Sequence, residues 1–167
     1  MRLALLEPDI PQNTGAIARL AACLGLPLDI IEPAGFPVSD RAFRRAGMDY
    51  LERAEIHRHE SFATFDAWRR GLGARLVLAT TKATQSYVAF AFAPSDIILF
   101  GRESAGAPEH VHASADAGIL VPMRPGLRSL NVALTAAMIA GEALRQTGSL
   151  PAAAESSQRQ GSPEIAA

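Results

Sequence analysis

The sequence predicts an α/β domain: a mostly parallel sheet covered by helices on both faces. Two observations carry this. Short apolar runs recur near 2–6, 27–31, 75–79, 97–100 and 117–121, bounded by glycine, proline or polar residues in the manner of buried strands. Between several of them lie longer stretches with helical spacing, near 14–24, 39–47, 61–70 and 131–145. Strands that alternate with helices pair in parallel and need cover on both faces. A chain of 167 residues that is 49% hydrophobic is one domain by size and has the means to fill its core.

The first strand leads into Glu7-Pro8-Asp9-Ile10-Pro11-Gln12-Asn13-Thr14-Gly15-Ala16-Ile17-Ala18-Arg19. Asn13 is read as the N-cap of a helix that runs to about Leu24, where Gly25 stops it. Ile17, Leu20, Ala21 and Leu24 form its buried stripe. Arg19 lies about 200° around the helix from Ile17, so it faces solvent, a partner or a substrate. The lone Cys23 has no partner for a disulfide and is read as core packing.

The second helix carries Arg41, Arg44 and Arg45 at helical spacing, with Ser39 or Asp40 as cap. Arg53, His57, Arg58 and His59 follow closely and extend a basic face. Arginine suits phosphates and stacks on bases, so this face reads either as an RNA contact or as a solvated surface. A net charge of −1 excludes a general nucleic-acid coat and leaves only a local patch of this kind. The pairs His57/His59 and His110/His112 have no Cys or carboxylate at ligand spacing, and no metal is expected.

The strand 97–100 opens into Gly101-Arg102-Glu103-Ser104-Ala105-Gly106-Ala107-Pro108. Ligands bind at the carboxyl ends of such strands, and Gly101 is read as letting a ligand approach the backbone. The Gly101–Gly106 spacing is not a phosphate loop, because Ala107 and Pro108 stand where Lys and Ser or Thr are required. No strand is followed by Gly-x-Gly-x-x-Gly, which counts against a nicotinamide or flavin site.

The last strand passes through Val121-Pro122-Met123-Arg124-Pro125-Gly126-Leu127-Arg128-Ser129-Leu130-Asn131 to the final helix. Two prolines and a glycine shape this loop and deliver Ser129 and Asn131 to the helix start. Asn131 is read equally as a helix cap and as a substrate contact. The helix Val132 to Leu144 is apolar almost all round, and a subunit interface is its natural cover. Beyond Gln146 a polar, low-complexity tail is expected over 147–167, leaving 1–146 as the folded domain.

These three segments, in this order, resemble the three motifs of the SPOUT methyltransferases, and most nearly those small members that methylate the wobble ribose of tRNA. Ile30-Ile31-Glu32-Pro33, Arg44-Arg45-Ala46-Gly47-Met48-Asp49-Tyr50 and Ala79-Thr80-Thr81-Lys82 strengthen the resemblance. Arg102 and Ser104 depart from it, standing where the usual form has Pro and Thr.

The resemblance implies a deep C-terminal trefoil knot, with the final helix threaded, in exception to the rule that chains do not thread loops. It implies S-adenosylmethionine as cofactor, held at Ala79, Gly101, Val121, Ser129 and Leu130. It implies transfer of a methyl group to the 2'-hydroxyl of cytidine or uridine 34. Arg19 would serve catalysis as proton acceptor, or by fixing phosphate and alkoxide, with Asn13 and Glu103 beside it. Arg41, Arg44, Arg45 and Asn131 would meet the tRNA anticodon stem-loop. It further implies a homodimer. With no apolar run of membrane length and no signal peptide, a cytoplasmic protein is expected. The alternatives are a ribose methyltransferase for another tRNA or rRNA position, an inactive RNA-binding relative, and an unrelated α/β small-molecule enzyme.

Overall fold

The computed structural model describes residues 1–37 and 41–152. Six parallel strands form one sheet: β1 (Arg2–Leu6), β2 (Leu28–Ile31), β3 (Ile56–His59), β4 (Leu76–Ala79), β5 (Ile97–Phe100) and β6 (Ala117–Ile119). Their order is β3-β2-β1-β5-β4-β6. The chain builds outward from β1 to β3, crosses back to β4, inserts β5 beside β1, and adds β6 at the far edge. Ligands of open α/β sheets bind where the winding reverses in this way.

Among the described residues five α-helices cover the sheet: α1 (Pro11–Leu24), α2 (Arg41–Gly47), α3 (Phe62–Gly71), α4 (Glu109–Ser114) and α5 (Val132–Thr147). Alternation within the strands sorts them onto two faces. Leu3, Leu5, Leu28, Ile30, Val77, Ile98, Phe100 and Ile119 bury against α1 and α5. Ala4, Leu6, Ile31, Leu76, Leu78, Ile97 and Leu99 bury against Phe65 of α3 and Val111 of α4. The central strands are apolar on both faces, as fully covered parallel strands must be.

Charges inside the sheet's margins are paired. Asp29 is fully buried and accepts from Arg2 Nε at 2.7 Å and pairs with His59 Nε2 at 2.8 Å. Asp96, also fully buried, is gripped by both Nε and Nη2 of Arg75 at 2.8 Å. Arg69 joins α3 to the start of β4 and β6: it reaches Asp66, Asp116 and the carbonyls of Ala74 and Ser114. A buried charge is tolerated only with such partners.

The structure corrects several expectations. α1 starts three residues earlier than its expected cap, with Ile10 as N-cap and Pro11 in the first turn. Proline needs no N–H there and its φ is preset for a helix, so Asn13 is already inside the helix and is not its cap. Cys23 is exposed, one turn beyond Arg19 on the outer face of α1, and is not core. The basic stretch 56–59 holds a strand, β3; as an edge strand it is only half covered, so its polar residues hid it. His59 is held by Asp29, Phe65 and Trp68, so it is not part of an open basic face. β6 ends at Ile119, short of Val121, and α5 continues to Thr147, where left-handed Gly148 closes it. Residues 38–40, with the expected caps Ser39 and Asp40, and the tail from 153 onward lie outside the described residues.

The closest approach between helices sets the outer layer. A Cβ on Gly15 of α1 would lie 2.6 Å from both the Phe43 carbonyl oxygen and Ala46 Cβ of α2. Glycine is therefore required at this crossing. Gly15→Ala should lower stability by about 1–3 kcal/mol, the usual cost of overpacking, read as a lower urea midpoint with an unchanged slope. An unchanged midpoint would show that α1 and α2 can separate without cost.

Candidate active site

The carboxyl ends of β4, β5 and β6, together with the start of α5, enclose a cleft of about 490 Å³. Its walls come from all three segments singled out in the sequence. Asn13 enters from α1, Ala79 to Lys82 from the end of β4, Gly101 to Glu103 from the end of β5, and Leu120, Val121, Ser129, Leu130 and Asn131 from the last loop. Volume in this range suits a small molecule of cofactor size. Ile119, Leu120, Val121, Leu130 and Ile139 supply apolar wall, while Thr80, Thr81 and Thr135 supply hydroxyls.

A chain of side-chain bonds ties the segments together. Asn13 Nδ2 donates to Glu103 Oε1 at 3.1 Å, and Asn131 Nδ2 donates to Asn13 Oδ1 at 2.9 Å. Asn131 also caps α5, its Oδ1 accepting from the N–H groups of Ala133 at 2.8 Å and Leu134 at 3.3 Å. Its amide thus serves two roles at once, cap and cleft wall, and Asn13 is the junction between the loops after β1, β5 and β6.

Asp9, which sequence reasoning missed, completes this junction. The Asp9 N–H donates to Glu103 Oε2 at 3.2 Å, and the N–H groups of Glu103 and Ser104 return bonds to the Asp9 carboxylate at 3.2 and 3.3 Å. The Ser104 hydroxyl donates to Asp9 as well, and Arg102 pairs with Glu7. The two positions that depart from the family's usual form therefore tie the β5 loop to the β1 loop. A carboxylate set between the prolines of the run Glu7–Pro11, just past the end of a strand, was the signal that could have found Asp9. His112 also lines the cleft, with Nε2 buried and without a hydrogen-bond partner among the described residues.

Burial, then the hydrogen bond with Asp9, pushes the Glu103 carboxyl above its ordinary pKa. The same bond with Glu103, aided by Ser104, holds Asp9 below its own. A raised acid contributes stability that is lost as pH rises through its folded value; a lowered one contributes stability that is lost as pH falls through its folded value. The clasp is thus fully expressed between the ordinary pKa values of the two groups and is lost on moving away in either direction.

Gly101 lines the cleft, and its missing side chain has a second use. A Cβ there would lie 2.6 Å from both Ala107 N and Gly106 C, so the glycine also makes room for the protein's own loop. Arg102 and Gly106 exchange backbone hydrogen bonds at 3.2 and 2.8 Å and close that loop.

Four predicted residues lie away from the cleft. Arg19 is exposed on α1; its Nη1 donates to Met48 Sδ at 3.3 Å and its guanidinium lies 5.0 Å over the Tyr50 ring. Both partners belong to a short 3-10 helix, Met48–Glu52, that continues α2. Arg41, Arg44 and Arg45 are exposed on α2, and none has an ion pair among the described residues. Among the described residues there is no cluster of three potential metal ligands and no helix long and apolar enough to cross a membrane.

The sequence profile of the SpoU rRNA Methylase family matches residues 1–141. The chain belongs to that family. The tRNA (cytidine(34)-2'-O)-methyltransferase of Ancylobacter novellus is 65% identical over 148 residues, covering 89% of this chain and 94% of the relative. A solved structure concerned with 2-OH methylation of C/U34 on tRNA superposes with a TM-score of 0.83 at 41% identity, over 87% of this chain and 94% of the other. The SpoU methyltransferase AviRb from Streptomyces viridochromogenes, solved in complex with AdoMet, has a TM-score of 0.80 at 28% identity over 87% of this chain and 60% of its own.

The Asp9–Glu103 clasp makes a direct prediction. Asp9→Asn should bring the Glu103 carboxyl down toward its ordinary pKa, while burial keeps it from falling all the way. Carbon-detected NMR titration of labelled glutamates would read this. A Glu103 pKa unaffected by Asp9→Asn would show that the two carboxyls do not share a proton.

Proposed function

We propose that this protein transfers a methyl group from S-adenosylmethionine to the 2'-hydroxyl of the wobble nucleotide, cytidine or uridine 34, of tRNA. The observation that carries the reading is the junction at Asn13. It draws the three strand-end loops around one cofactor-sized cleft, in a chain 65% identical to a tRNA (cytidine(34)-2'-O)-methyltransferase. The cleft's mixture of apolar wall, hydroxyls and strand-end backbone fits S-adenosylmethionine, with Ala79, Gly101, Val121, Ser129 and Leu130 as the residues that would hold it. We also read the loops after β4, β5 and β6 as a trefoil knot with α5 threaded through it, and the cytoplasm as the place of action.

When bound, S-adenosylmethionine supplies a methyl group made electrophilic by its sulfonium. The protein's task is to align the ribose oxygen and to help its proton leave, because an alcohol is a weak nucleophile. Glu103, Asn13 and Asn131 fix the rim against which the ribose would rest. Arg19 suits an anion better than a proton: guanidinium stays charged in proteins, so it would hold the adjacent phosphate and stabilise developing charge on the 2'-oxygen. Titration calorimetry with S-adenosylmethionine, followed by mass mapping of ribose methylation in tRNA exposed to the enzyme, tests the reading. Absence of cofactor binding, or methylation at another nucleotide only, would overturn it.

Arg19 lies outside its own chain's cleft, and we infer that it serves the cleft of a second copy. α5 leaves Leu134 60% and Met138 41% exposed one turn apart, beside Leu130 at the cleft's mouth, which supports an interface on this helix. Mixing inactive Arg19→Ala and Gly101→Val proteins under subunit exchange should restore part of the activity, since one site of the mixed dimer is then whole. Gly101→Val alone should lose cofactor binding, because the side chain collides with the Gly106–Ala107 backbone. No recovery after verified exchange would reject a shared site.

Arg41, Arg44 and Arg45 are read as the grip on anticodon-stem phosphates. Removing any one of these arginines should reduce the salt slope of tRNA binding by about 0.7–1, with cofactor affinity unchanged. A doubly substituted Arg44→Ala/Arg45→Ala protein with the wild-type slope would place the grip elsewhere.

A further inference from the structure

A second cavity, of about 570 Å³, lies on the opposite wing of the sheet from the cleft. Ile30 and Ile56 of β2 and β3 form its floor; Phe36, Phe43 and Leu51 form its walls; Arg44, Glu52 and Arg58 are its charged lining. The Phe36 and Phe43 rings stand 5.7 Å apart and tilted, and Phe36, only half-buried, borders the cavity. Arg58 is held by an ion pair with Glu32, while Arg44 has no ion pair among the described residues. The methyl-transfer chemistry uses none of these groups.

The combination of aromatic wall, apolar floor and an exposed arginine at the edge has a specific complement. An unstacked nucleobase presents a flat apolar face, polar edges and a phosphate on the same nucleotide, which is how single-stranded RNA is bound. We propose that this cavity receives an unstacked base of the anticodon loop other than the methylated nucleotide, with Glu52 accepting from a base N–H and Arg44, the member of the stem grip that lines the cavity, meeting the phosphate where loop joins stem. The proposal rests on the reading of this protein as a tRNA enzyme. Position supports it. Leu51 and Glu52 belong to the same 3-10 helix whose Met48 and Tyr50 hold Arg19. A base seated here would therefore be referenced directly to Arg19, and the cavity would count nucleotides from the reacting ribose.

The test uses the full-length protein and anticodon stem-loop RNAs. Each carries one fluorescent base analogue, 2-aminopurine or pyrrolocytosine, at a single loop position other than the target. With the wild-type protein one position should change its emission on binding. Phe36→Ala, which removes the aromatic wall, and Ala34→Phe, which fills the cavity, should both abolish that change. Both should weaken RNA binding by about 5- to 100-fold, the range for a single base stack. Calorimetric affinity for S-adenosylmethionine should stay at the wild-type value in both, which shows that they fold. A signal and affinity unaltered in the two variants would overturn the proposal. Should the wild-type protein bind cofactor but no stem-loop, the tRNA reading itself would fail and take this inference with it.

Discussion

One carboxamide holds the candidate site together. Asn13 accepts from Asn131 and donates to Glu103, so a single side chain joins the loops after β1, β5 and β6. Each of these loops follows a strand of the sheet, but nothing in the strands themselves fixes where the loops go. The junction does so, and it acts through directional bonds that neither an apolar nor a charged residue could reproduce. An Asp at position 13 could still accept from Asn131 but would have no N–H to give Glu103; an aliphatic residue would leave both partners unpaired at a cleft wall.

The carboxylates behind this junction work in the same spirit. Asp9 and Glu103 exchange backbone N–H bonds across the two loops, and burial with the Asp9 contact holds the Glu103 carboxyl above its ordinary pKa while Asp9 is held below its own. Ser104 and Arg102 add bonds to the same seam. The β5 loop is therefore fixed at both ends, by its internal closure at Gly106 and by its attachment to the β1 loop. This pre-organisation is what a site needs if it is to hold a reactant without reshaping itself.

Much of the fold and of the cleft was legible in the sequence, on physical grounds. The buried strands could be read because short apolar runs bounded by Gly and Pro seldom fold as anything else. The cleft could be located because the three unusual loops all follow such strands. What escaped reading depended on partners distant in the chain. Asn13 looked like a helix cap, because capping and bridging call for the same amide and only the fold distinguishes them. Gly101 could be read as a cleft residue, but its second use, leaving room for Gly106 and Ala107, depends on a loop closure the sequence does not display. β3 was masked by its edge position, where His57 and Arg58 can face outward. α4 is six residues long and carries a single fully buried residue, Val111, too little for a periodicity.

The contact at Gly15 has a consequence beyond packing. With the α1 backbone at Gly15 pressed on the α2 backbone and on the Ala46 methyl, the two helices have little room to slide. Arg19 sits one turn along α1, braced against Met48 and Tyr50, while Arg41, Arg44 and Arg45 ride on α2. These four guanidinium-bearing positions thus form a gauge of fixed length. If the α2 end rests on a nucleic-acid stem, the Arg19 end falls at one set reach from it. Selection of the nucleotide would then be a measurement of distance, made by the stiffness of a helix pair rather than by recognition of the base itself.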